Sequence, residues 1–574
     1  MCGIVGYRGN GDASKIVYDG LKNLEYRGYD SAGIAVRDSS GINVDKGVGT
    51  VDESLSQRSG GSIALGHTRW ATHGGVTEQN AHPHTDCKGE VAVVHNGIIQ
   101  NYSELKQKLS GHKFKSDTDT EVIPHLIEEQ LEQGKSLKQI AEYLRDTLEG
   151  SYAVVAMFES GEMMALKNRS PLALGIKEEE LFLGSDVTPF LKHTDEAIFL
   201  EDGDYVLIDQ DYKIYSDGEE VEREVEKIEW DAEQATKKGY EHFMEKEILE
   251  QPKTVKRAAF QDRKDMEQAE QMIEDAEKVW ITGCGTSSYA ADLGARYLRR
   301  RGVDVRVEQS HELEYRTDEI GEEDLVIGIS QSGETADLLS VLEKLDNKLL
   351  SVLNVSGSTL DRKSDHTLHI NAGPEIGVAS TKAFTAQITV LKLLSYCVGG
   401  ELEQGRDSLV QTADRIQGLM DNSEQEIERL SEYLVDKDDV YFIGRHKGFE
   451  MAKESALKLK ELSYIHAEAF PGGEFKHGTL ALVEDGVPVV GFLKQEGYEE
   501  MLSNLAEAKS RGADIIGVGQ ENGENFEFFI DIPEDQNSEI LEVVPFQMLA
   551  YKTAVKLGNN PDKPRNLAKS VTVK

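Results

Sequence analysis

The chain has 574 residues and a formal net charge of −41, because 63 lysines and arginines stand against 104 aspartates and glutamates. A chain of this length does not usually fold around a single hydrophobic core, and we expect about three or four domains. So acidic a surface repels nucleic-acid phosphates and anionic lipids, which argues against nucleic acid or a membrane as partner. The charge is typical of a halophilic protein in a salt-rich cytoplasm, where counterions screen its self-repulsion.

The cysteine pattern and the hydropathy predict a reducing compartment. The four cysteines, Cys2, Cys87, Cys284 and Cys397, show no metal-ligand spacing and make no disulfide framework for a chain of this size. No basic, apolar leader opens the sequence and no run of about 18 apolar residues interrupts it. We therefore expect a cytoplasmic protein that holds no metal.

The first part of the chain, to about residue 215, alternates short strands with close turns. The predicted strands are GIAVRD, SIALGHTRW, EVAVVHNGII, YAVVAMF, EMMALK, LFLGSD and DYVLID. Helical patterns interrupt them near 16–24 and 120–148. Strands in runs with segregated helices predict a layered α+β domain, which we place at 2–218.

The second part changes period after a polar, charged connector at 219–240. Strand, glycine turn and amphipathic helix then alternate, which indicates parallel sheets covered by helices. The stretch beginning KVWITGCGTSSYAA resembles the one beginning DVYFIGRHKGFEMA about 160 residues later. The repeat predicts two α/β subdomains at 241–400 and 425–574, with 406–434 as a helical bridge.

Cys2 directly follows the initiator methionine in MCGIVGY. A lone cysteine is most often a buried thiol without chemistry. Alternatively, loss of Met1 leaves one residue with both a nucleophilic thiol and an α-amine that acts as its base.

Polar clusters at the ends of the predicted strands suit a pocket in the same domain. They lie in GHTRWATHG, NAHPH, HNGIIQNY and SDTDTE. Arg69 and Asp119 are able to hold the two ends of an α-amino acid, and the Asn96 amide with the Gly97 N–H is able to form an oxyanion hole. Taken singly, Asn-Gly is as readily a turn and the charged pair a surface contact.

Two glycine-containing turns in the repeat follow apolar strands and precede helices. GCGTSS carries Ser288 where a dinucleotide fingerprint has its third glycine, which argues against a nicotinamide site. SQSGET offers hydroxyls, an amide and helix N–H groups without any cation, which suits a sugar phosphate better than a simple helix cap.

The helix pattern ESALKLKELSYIHAEAF places Glu454, Lys458 and Glu461 on one face. Such a stripe is usually a solvated face held by weak pairs. The glycine-rich PGGEFKHG that follows presents Glu474 and His477 on a loop, where functional residues concentrate.

Together CGIVGY, LEYRGYDSAGIA, GHTRWATHG, HNGIIQNY and SDTDTE resemble the N-terminal-nucleophile glutaminase domain of the glutamine:fructose-6-phosphate amidotransferases, and the likeness covers essentially the whole chain. The resemblance implies a layered glutaminase sandwich followed by two sugar-isomerase subdomains. It implies that glutamine and fructose 6-phosphate become glutamate and glucosamine 6-phosphate, the first step towards amino-sugar nucleotides, in a homodimer without organic cofactor.

The same resemblance assigns roles residue by residue. In the glutaminase, Cys2 is nucleophile and base, Asn96 and Gly97 stabilise the oxyanion, and Trp70 gates ammonia. Glutamine is held by Arg69, Thr72, His73 and Asp119. The phosphate is assigned to Ser330, Gln331, Ser332 and Thr335, and the sugar to Thr286, Ser287 and Ser380. Glu461 moves a proton between C1 and C2 with help from Lys458, His477 of a neighbouring subunit opens the ring, and Lys569 forms a Schiff base.

Two departures from the family pattern, Thr479 after the histidine-glycine pair and Lys574 at the end, leave the loop and tail contacts less defined. Rival readings fit less well. Phosphoribosyl transfer wants paired aspartates after a strand, whereas KDDVYFIG has them before it, and asparagine synthesis wants an aspartate that SGGSIA lacks. A regulatory sugar-phosphate sensor does not need Glu461, His477 and Lys569 together.

Overall fold

The computed structural model describes residues 2–56, 59–71, 73–228, 237–520 and 526–572. The chain forms two compact units. The first contains the described residues up to 228 with 357–359 and 568–572, and the second contains 237–356 and 360–567.

The strands of the first unit are β1 Gly3–Arg8, β2 Ser31–Asp38, β3 Gly41–Val48, β4 Ile63–Arg69, β5 His84–Thr85, β6 Val91–Ile99, β7 Gly150–Phe158, β8 Met163–Asn168, β9 Ala173–Lys177, β10 Glu180–Gly184, β11 Glu196–Phe199, β12 Tyr205–Ile208, β13 Tyr212–Ser216, β14 Glu219–Val221 and β15 Glu226–Lys227. Its helices are α1 Ala13–Leu24, α2 Val51–Ser54, α3 Tyr102–Lys108, α4 Val122–Glu132 and α5 Leu137–Thr147, with a 3₁₀ turn at Glu25–Arg27.

The first unit is a four-layer sandwich. Its strands form an eight-stranded sheet in the order β15-β11-β9-β10-β1-β4-β2-β3 and a seven-stranded sheet in the order β14-β13-β12-β8-β7-β6-β5. Residues such as Leu65 and Val155 from the two sheets share one apolar core between them. Helices α1 and α2 cover the outer face of the first sheet, and α3 to α5 cover that of the second. The predicted layered α+β domain is confirmed.

Local sequence explains the helix boundaries. Asp12 accepts the backbone N–H of Lys15 at the start of α1. The helix predicted over 120–148 is two helices, because Ser136 and Gln139 form a capping box that starts α5. The predicted connector contributes two short strands, β14 and β15, to the ends of the two sheets, where charged residues are well tolerated.

The strands of the second unit are β16 Val279–Gly283, β17 Val305–Gln309, β18 Leu325–Ile329, β19 Leu349–Leu353, β20 His366–His369, β21 Asp439–Gly444, β22 His466–Pro471, β23 Pro488–Phe492, β24 Asp514–Gly519 and β25 Phe528–Asp531. Its helices are α6 Phe243–Leu249, α7 Gln251–Ala259, α8 Arg263–Asp275, α9 Thr286–Arg299, α10 Ser310–Leu313, α11 Ala336–Leu342, α12 Thr359–Lys363, α13 Lys382–Val398, α14 Leu402–Leu434, α15 Lys447–Ser463, α16 Tyr498–Lys509 and α17 Ser538–Lys556, with 3₁₀ turns at Thr317–Glu319 and Thr479–Leu482.

The second unit repeats one fold twice, as predicted. Its two parallel five-stranded sheets run in the orders β17-β16-β18-β19-β20 and β22-β21-β23-β24-β25, so the first strand in sequence is second in space each time. One apolar core joins both sheets to the helices between them. The bridge predicted at 406–434 is α14, which starts four residues earlier at Leu402. Among the described residues, no helix combines the length and apolarity needed to cross a membrane.

The two repeats share an unusual backbone conformation where the first helix leaves the first strand. Gly285 before α9 has φ 54° and ψ −129°, and His446 before α15 has φ 52° and ψ −128°. Glycine adopts such angles freely, whereas a histidine there is strained. Helices α9 and α15 pack against each other.

Candidate active sites

Cys2 lies at the start of β1, a strand paired on both sides with β10 and β4. The Cys2 Sγ accepts the backbone N–H of Trp70 at 3.3 Å, and its own hydrogen points to the Trp70 carbonyl oxygen at 3.5 Å. Burial raises the pKa of the Cys2 thiol. Because a neutral thiol is a poor nucleophile, this position requires a base close to the sulfur.

Asn96 on β6 connects the two sheets at this point. Its Nδ2 donates to the Cys2 carbonyl oxygen at 2.9 Å, and its Oδ1 lies 3.0 Å from His67 Nε2. That imidazole nitrogen is also 3.0 Å from the His95 carbonyl oxygen, so it faces two acceptors and must carry the hydrogen. Burial lowers the pKa of His67 to about 3, which keeps the ring neutral. His67 therefore orients the Asn96 amide with its NH₂ towards Cys2.

Gly97 occupies a position that other residues do not fit. Its φ is +122°, and a Cβ built there would lie 1.9 Å from the Ser151 carbonyl oxygen on β7. The close approach of β6 and β7 beside Asn96 thus depends on glycine. The turn interpretation of this Asn-Gly pair is wrong, because both residues lie within β6.

Arg69, at the end of β4, and Asn80 together support the loop that follows this strand. The Arg69 guanidinium donates to the carbonyl oxygens of Gly74 and Gly75 at 3.2 and 3.1 Å. Asn80 Nδ2 donates to the same Gly75 oxygen at 3.0 Å, and its Oδ1 accepts the Asp117 N–H at 2.9 Å. Arg69 therefore supports the loop as well as offering a cation.

The remaining predicted glutaminase residues are partly placed. Asp119 is buried and accepts the Ile99 N–H at 2.8 Å. The Trp70 ring packs edge-on against Tyr29, with ring centroids 5.7 Å apart. His73 packs in the same way against Tyr102 at 5.8 Å. Thr72 lies outside the described residues.

The sequence reasoning missed a group of buried histidines behind this site. His82 Nε2 and His95 Nδ1 each lie 2.9 Å from Thr120 Oγ1, and the His82 ring stacks on His67 at 4.2 Å. Burial lowers the pKa of each of these imidazoles. These histidines do lie in the motifs quoted above, so the sequence contains them. Their contacts with one another cross from one sheet to the other and cannot be read from the sequence.

In the second unit, α9 and α15 bring a compact polar cluster together. Lys458 Nζ lies 2.7 Å from Glu461 Oε2, 3.6 Å from Glu454 Oε1 and 3.2 Å from Thr286 Oγ1. Thr286 Oγ1 also donates to Glu454 Oε1 at 3.3 Å. The side chains of Lys458 and Glu454 are 1% and 0% exposed, so the interpretation of this stripe as a solvated face is wrong.

Burial and mutual charge set the protonation of this cluster. Burial raises the pKa of Glu454 to about 7, despite the opposing effect of Lys458. Burial also tends to lower the pKa of Lys458, but Glu454 and Glu461 outweigh it and hold that pKa above its usual value. A buried ammonium therefore lies between two carboxyl groups, those of Glu454 and Glu461.

The predicted phosphate loop follows β18 and ends at α11. Ser330 is buried, its Oγ accepts the Gly333 N–H at 3.0 Å, and it lies 3.2 Å from Thr335 Oγ1. Ser332 Oγ accepts the Glu334 N–H at 3.1 Å. These bonds fix the loop as a series of tight turns in which hydroxyls and backbone N–H groups alternate.

The other predicted sugar-phosphate residues have hydrogen-bond partners of their own. The Gln331 carbonyl oxygen accepts the Asn354 N–H at 3.3 Å. Ser287 Oγ accepts from Gln387 Nε2 at 3.0 Å, and Ser380 donates to Glu375 at 3.1 Å.

Two further predicted catalytic residues lie on other segments of the chain. His477 is exposed on the turn after β22, and within the described part of the chain its imidazole makes no hydrogen bond or ion pair. Lys569 lies in the terminal segment that groups with the first unit. Their roles stay predictions.

Comparison with known families matches both units. A glutamine amidotransferase domain matches residues 67–192, which include Arg69, Asn96 and Asp119, and a SIS domain matches residues 272–395 and again 433–557. The fold and its sites thus define a glutamine amidotransferase joined to a tandem of SIS domains.

Full-length relatives narrow this class. The chain is 44% identical to the glutamine–fructose-6-phosphate aminotransferase [isomerizing] of Pyrococcus horikoshii and 42% identical to that of Halobacterium salinarum, in each case across 100% of both chains. A solved C-terminal domain of glucosamine-fructose-6-phosphate aminotransferase from Francisella tularensis is 35% identical with a TM-score of 0.54, and covers 57% of this chain and 100% of its own. The chain belongs to the isomerizing glutamine–fructose-6-phosphate aminotransferase family.

Proposed function

We propose that this chain transfers the amide nitrogen of glutamine to fructose 6-phosphate and isomerises the product to glucosamine 6-phosphate, releasing glutamate. The observation that carries the proposal is the presence of two different reaction centres in one chain. One is a thiol beside an oriented amide, Cys2 with Asn96. The other is a buried ammonium between two carboxyl groups, Lys458 with Glu454 and Glu461.

The first centre suits hydrolysis of an amide. After Met1 is removed, the α-amine of Cys2 takes the thiol proton, and the sulfur attacks the glutamine carbonyl carbon. Asn96 and the Gly97 N–H stabilise the resulting oxyanion. The proton passes to the leaving nitrogen, ammonia departs past Trp70, and water hydrolyses the thioester to glutamate.

The first centre recognises glutamine by the α-carboxylate and α-ammonium groups of the substrate. A carboxylate binds the Arg69 cation together with Thr72 and His73, and the ammonium binds Asp119. The support of Arg69 and Asp119 by loop hydrogen bonds holds both charges at a fixed separation.

The second centre suits proton transfer on a sugar phosphate. Ser330, Ser332 and Thr335 bind the phosphate, and the ketose opens with His477 as acid. Lys569 condenses with the C2 carbonyl and releases water, ammonia then displaces the lysine amine from C2, and Glu461 removes a proton from C1 and returns it to C2. Glu461 acts as the base, and its ion pair with the Lys458 ammonium at 2.7 Å holds the carboxylate in position. Lys569 holds the open ketose as a Schiff base before ammonia arrives.

The setting of the enzyme belongs to the same proposal. The exposure of His477 is consistent with its serving the site of a second subunit, hence a homodimer. The net charge of −41 supports a halophilic cytoplasm as its place of work.

The test separates the two centres. Cys2→Ala is expected to abolish glutamine hydrolysis while the slow interconversion of fructose 6-phosphate and glucose 6-phosphate persists, because the sugar centre is built from other elements. Mass spectrometry of active enzyme should show loss of Met1, and a glutamine-like electrophile should label Cys2 and spare Cys284 and Cys397. Glutamine hydrolysis by Cys2→Ala, or full activity with Met1 retained, would contradict the proposal.

A further inference from the structure

A second cluster of reactive side chains in the first unit has no part in the proposed reaction. It consists of Cys87, His112, His125 and Glu128, whose ligand atoms all lie within 4.8 Å of one another. Cys87 lies in the turn between β5 and β6, His112 lies between α3 and α4, and the other two residues lie one turn apart on α4. We propose that these four side chains bind one zinc ion as a structural site.

Four of the six separations among the ligand atoms are close to the edges of a coordination tetrahedron. Zinc–sulfur and zinc–nitrogen bonds of about 2.3 and 2.05 Å at tetrahedral angles give a sulfur–nitrogen edge of about 3.6 Å and a nitrogen–oxygen edge of about 3.3 Å. Cys87 Sγ lies 3.7 Å from His112 Nδ1 and 3.8 Å from His125 Nδ1. Glu128 Oε2 lies 2.9 and 3.3 Å from the same two nitrogens.

The outer nitrogens of both imidazoles support the same assignment. His112 Nε2 lies 3.5 Å from a Glu129 oxygen, and His125 Nε2 lies 4.0 Å from a Glu121 oxygen. A histidine that binds a metal through Nδ1 carries its hydrogen on Nε2, and these carboxylates attract that N–H by charge without forming a hydrogen bond to it.

Hydrogen bonding alone accounts less well for this cluster. If both imidazoles donate from Nδ1 to Glu128 Oε2, then His125 Nε2 is a bare lone pair that faces the Glu121 carboxylate at 4.0 Å, with no hydrogen between the two acceptors. The same arrangement brings the Cys87 sulfur to both Nδ1 atoms without a strong bond to either. A metal at the centre satisfies the sulfur, both nitrogens and the carboxylate together.

The ligand set indicates zinc and a structural role. One thiolate, two imidazoles and one carboxylate suit a borderline-soft divalent ion, and their two negative charges balance its two positive charges. Four protein ligands leave no open position for a substrate. The ion would join three segments that are distant in sequence, one of which, α4, begins three residues after Asp119. Exposure of Cys87 gives the ion an entry path.

The experiment uses the full-length protein. After incubation with zinc and gel filtration, elemental mass spectrometry is expected to find one zinc ion per chain. Cys87→Ser and His125→Gln should lower this content at least tenfold, whereas the matched controls Cys284→Ser and His193→Gln should keep it. Added zinc should raise the melting temperature of the wild type and of both controls, but not that of Cys87→Ser.

Cobalt(II) supplies a readout that does not depend on any variant folding. Wild-type protein titrated with cobalt should develop the absorption of a thiolate–cobalt bond and saturate at one equivalent, and zinc should remove it. A wild type that binds neither metal stoichiometrically overturns the proposal, and so does zinc retained undiminished in Cys87→Ser. Both outcomes are independent of glutamine hydrolysis and of sugar isomerisation, which rest on other residues.

Discussion

Replacing Lys458 by methionine tests how the buried cluster of α15 is held. Methionine keeps most of the volume of the lysine stem and removes only the charge. At an effective dielectric constant of about 20, the ammonium attracts Glu461 and Glu454, at 2.7 and 3.6 Å, by about 6 and 5 kcal/mol before desolvation is subtracted. Breaking a buried pair by removing one partner typically costs about 3–5 kcal/mol, because a buried charge stays behind.

We therefore expect Lys458→Met to destabilise the protein by about 3–5 kcal/mol at pH 8. The cost should shrink towards pH 6. Lys458 now lowers the pKa of Glu454, so its removal raises that pKa further above about 7. When a carboxyl group has a higher pKa in the folded state than in the unfolded state, the protein loses stability as the pH rises from the unfolded pKa to the folded pKa. It regains that stability as the pH falls.

Urea denaturation in concentrated KCl, followed at both pH values, measures this cost. Lys460→Met on the exposed face of the same helix is the matched control and should change stability by about 0.5 kcal/mol or less. Adding Glu454→Gln to Lys458→Met should restore part of the loss at pH 8. A loss below about 1 kcal/mol, or one that does not vary with pH, would refute the view that Lys458 holds two buried carboxyl groups.

Three further outcomes are expected. Gly97→Ala should lower the free energy of unfolding by about 3 kcal/mol or more, because its Cβ would lie 1.9 Å from a carbonyl oxygen. The control Gly111→Ala has open space around its Cβ and should be tolerated. Equal melting temperatures of the two variants would contradict the close approach of the strands. Melting temperature and activity should rise as KCl increases above about 0.1 M, where the Debye length is about 10 Å, and a flat response would remove the halophilic interpretation. Inactive His477→Ala and Glu461→Ala subunits should regain activity when mixed, and no recovery despite demonstrated subunit exchange would count against a shared site.

Periodicity and composition predicted most of the architecture. The strands around GHTRW and HNGII, the helix bridge and the repeated α/β subdomains all follow from local patterns that burial reinforces. Local patterns failed where a boundary depends on one cap, as at Ser136, or where a short polar strand completes a sheet edge, as at 226–227.

For the candidate sites, the sequence identified several residues but not the contacts that orient them. Cys2 and Asn96 stand out in sequence, but the orientation of the Asn96 amide depends on His67, a neighbour only in space. The cluster of Cys87, His112, His125 and Glu128 was not predicted, because its residues are separated by stretches of unequal length. No fixed spacing in the sequence marks such a site. Whether Lys458 is buried depends on α9, which packs over α15 only once both repeats have folded.

The shared conformation of Gly285 and His446 has a consequence for stoichiometry. When the two repeats are aligned at these residues, Lys447 of the second repeat takes the position of Thr286 in the first. In the same alignment, Tyr297 of the first repeat takes the position of Lys458 in the second. The Lys447 ammonium does lie over the Tyr297 ring, 5.6 Å from its centre, which mirrors the contact of Thr286 with Lys458. Lys447 also forms an ion pair with the buried Glu539 of α17, so this pair differs in chemistry from Thr286 and Lys458.

The phosphate loop differs between the halves in the same sense. Where the first repeat has the hydroxyls of Ser330 and Ser332 after its strand, the second has Leu493 and Gln495. The doubled fold therefore repeats the strand-to-helix turn, but only the first repeat presents serine hydroxyls there. Calorimetric titration should count a single sugar phosphate per chain.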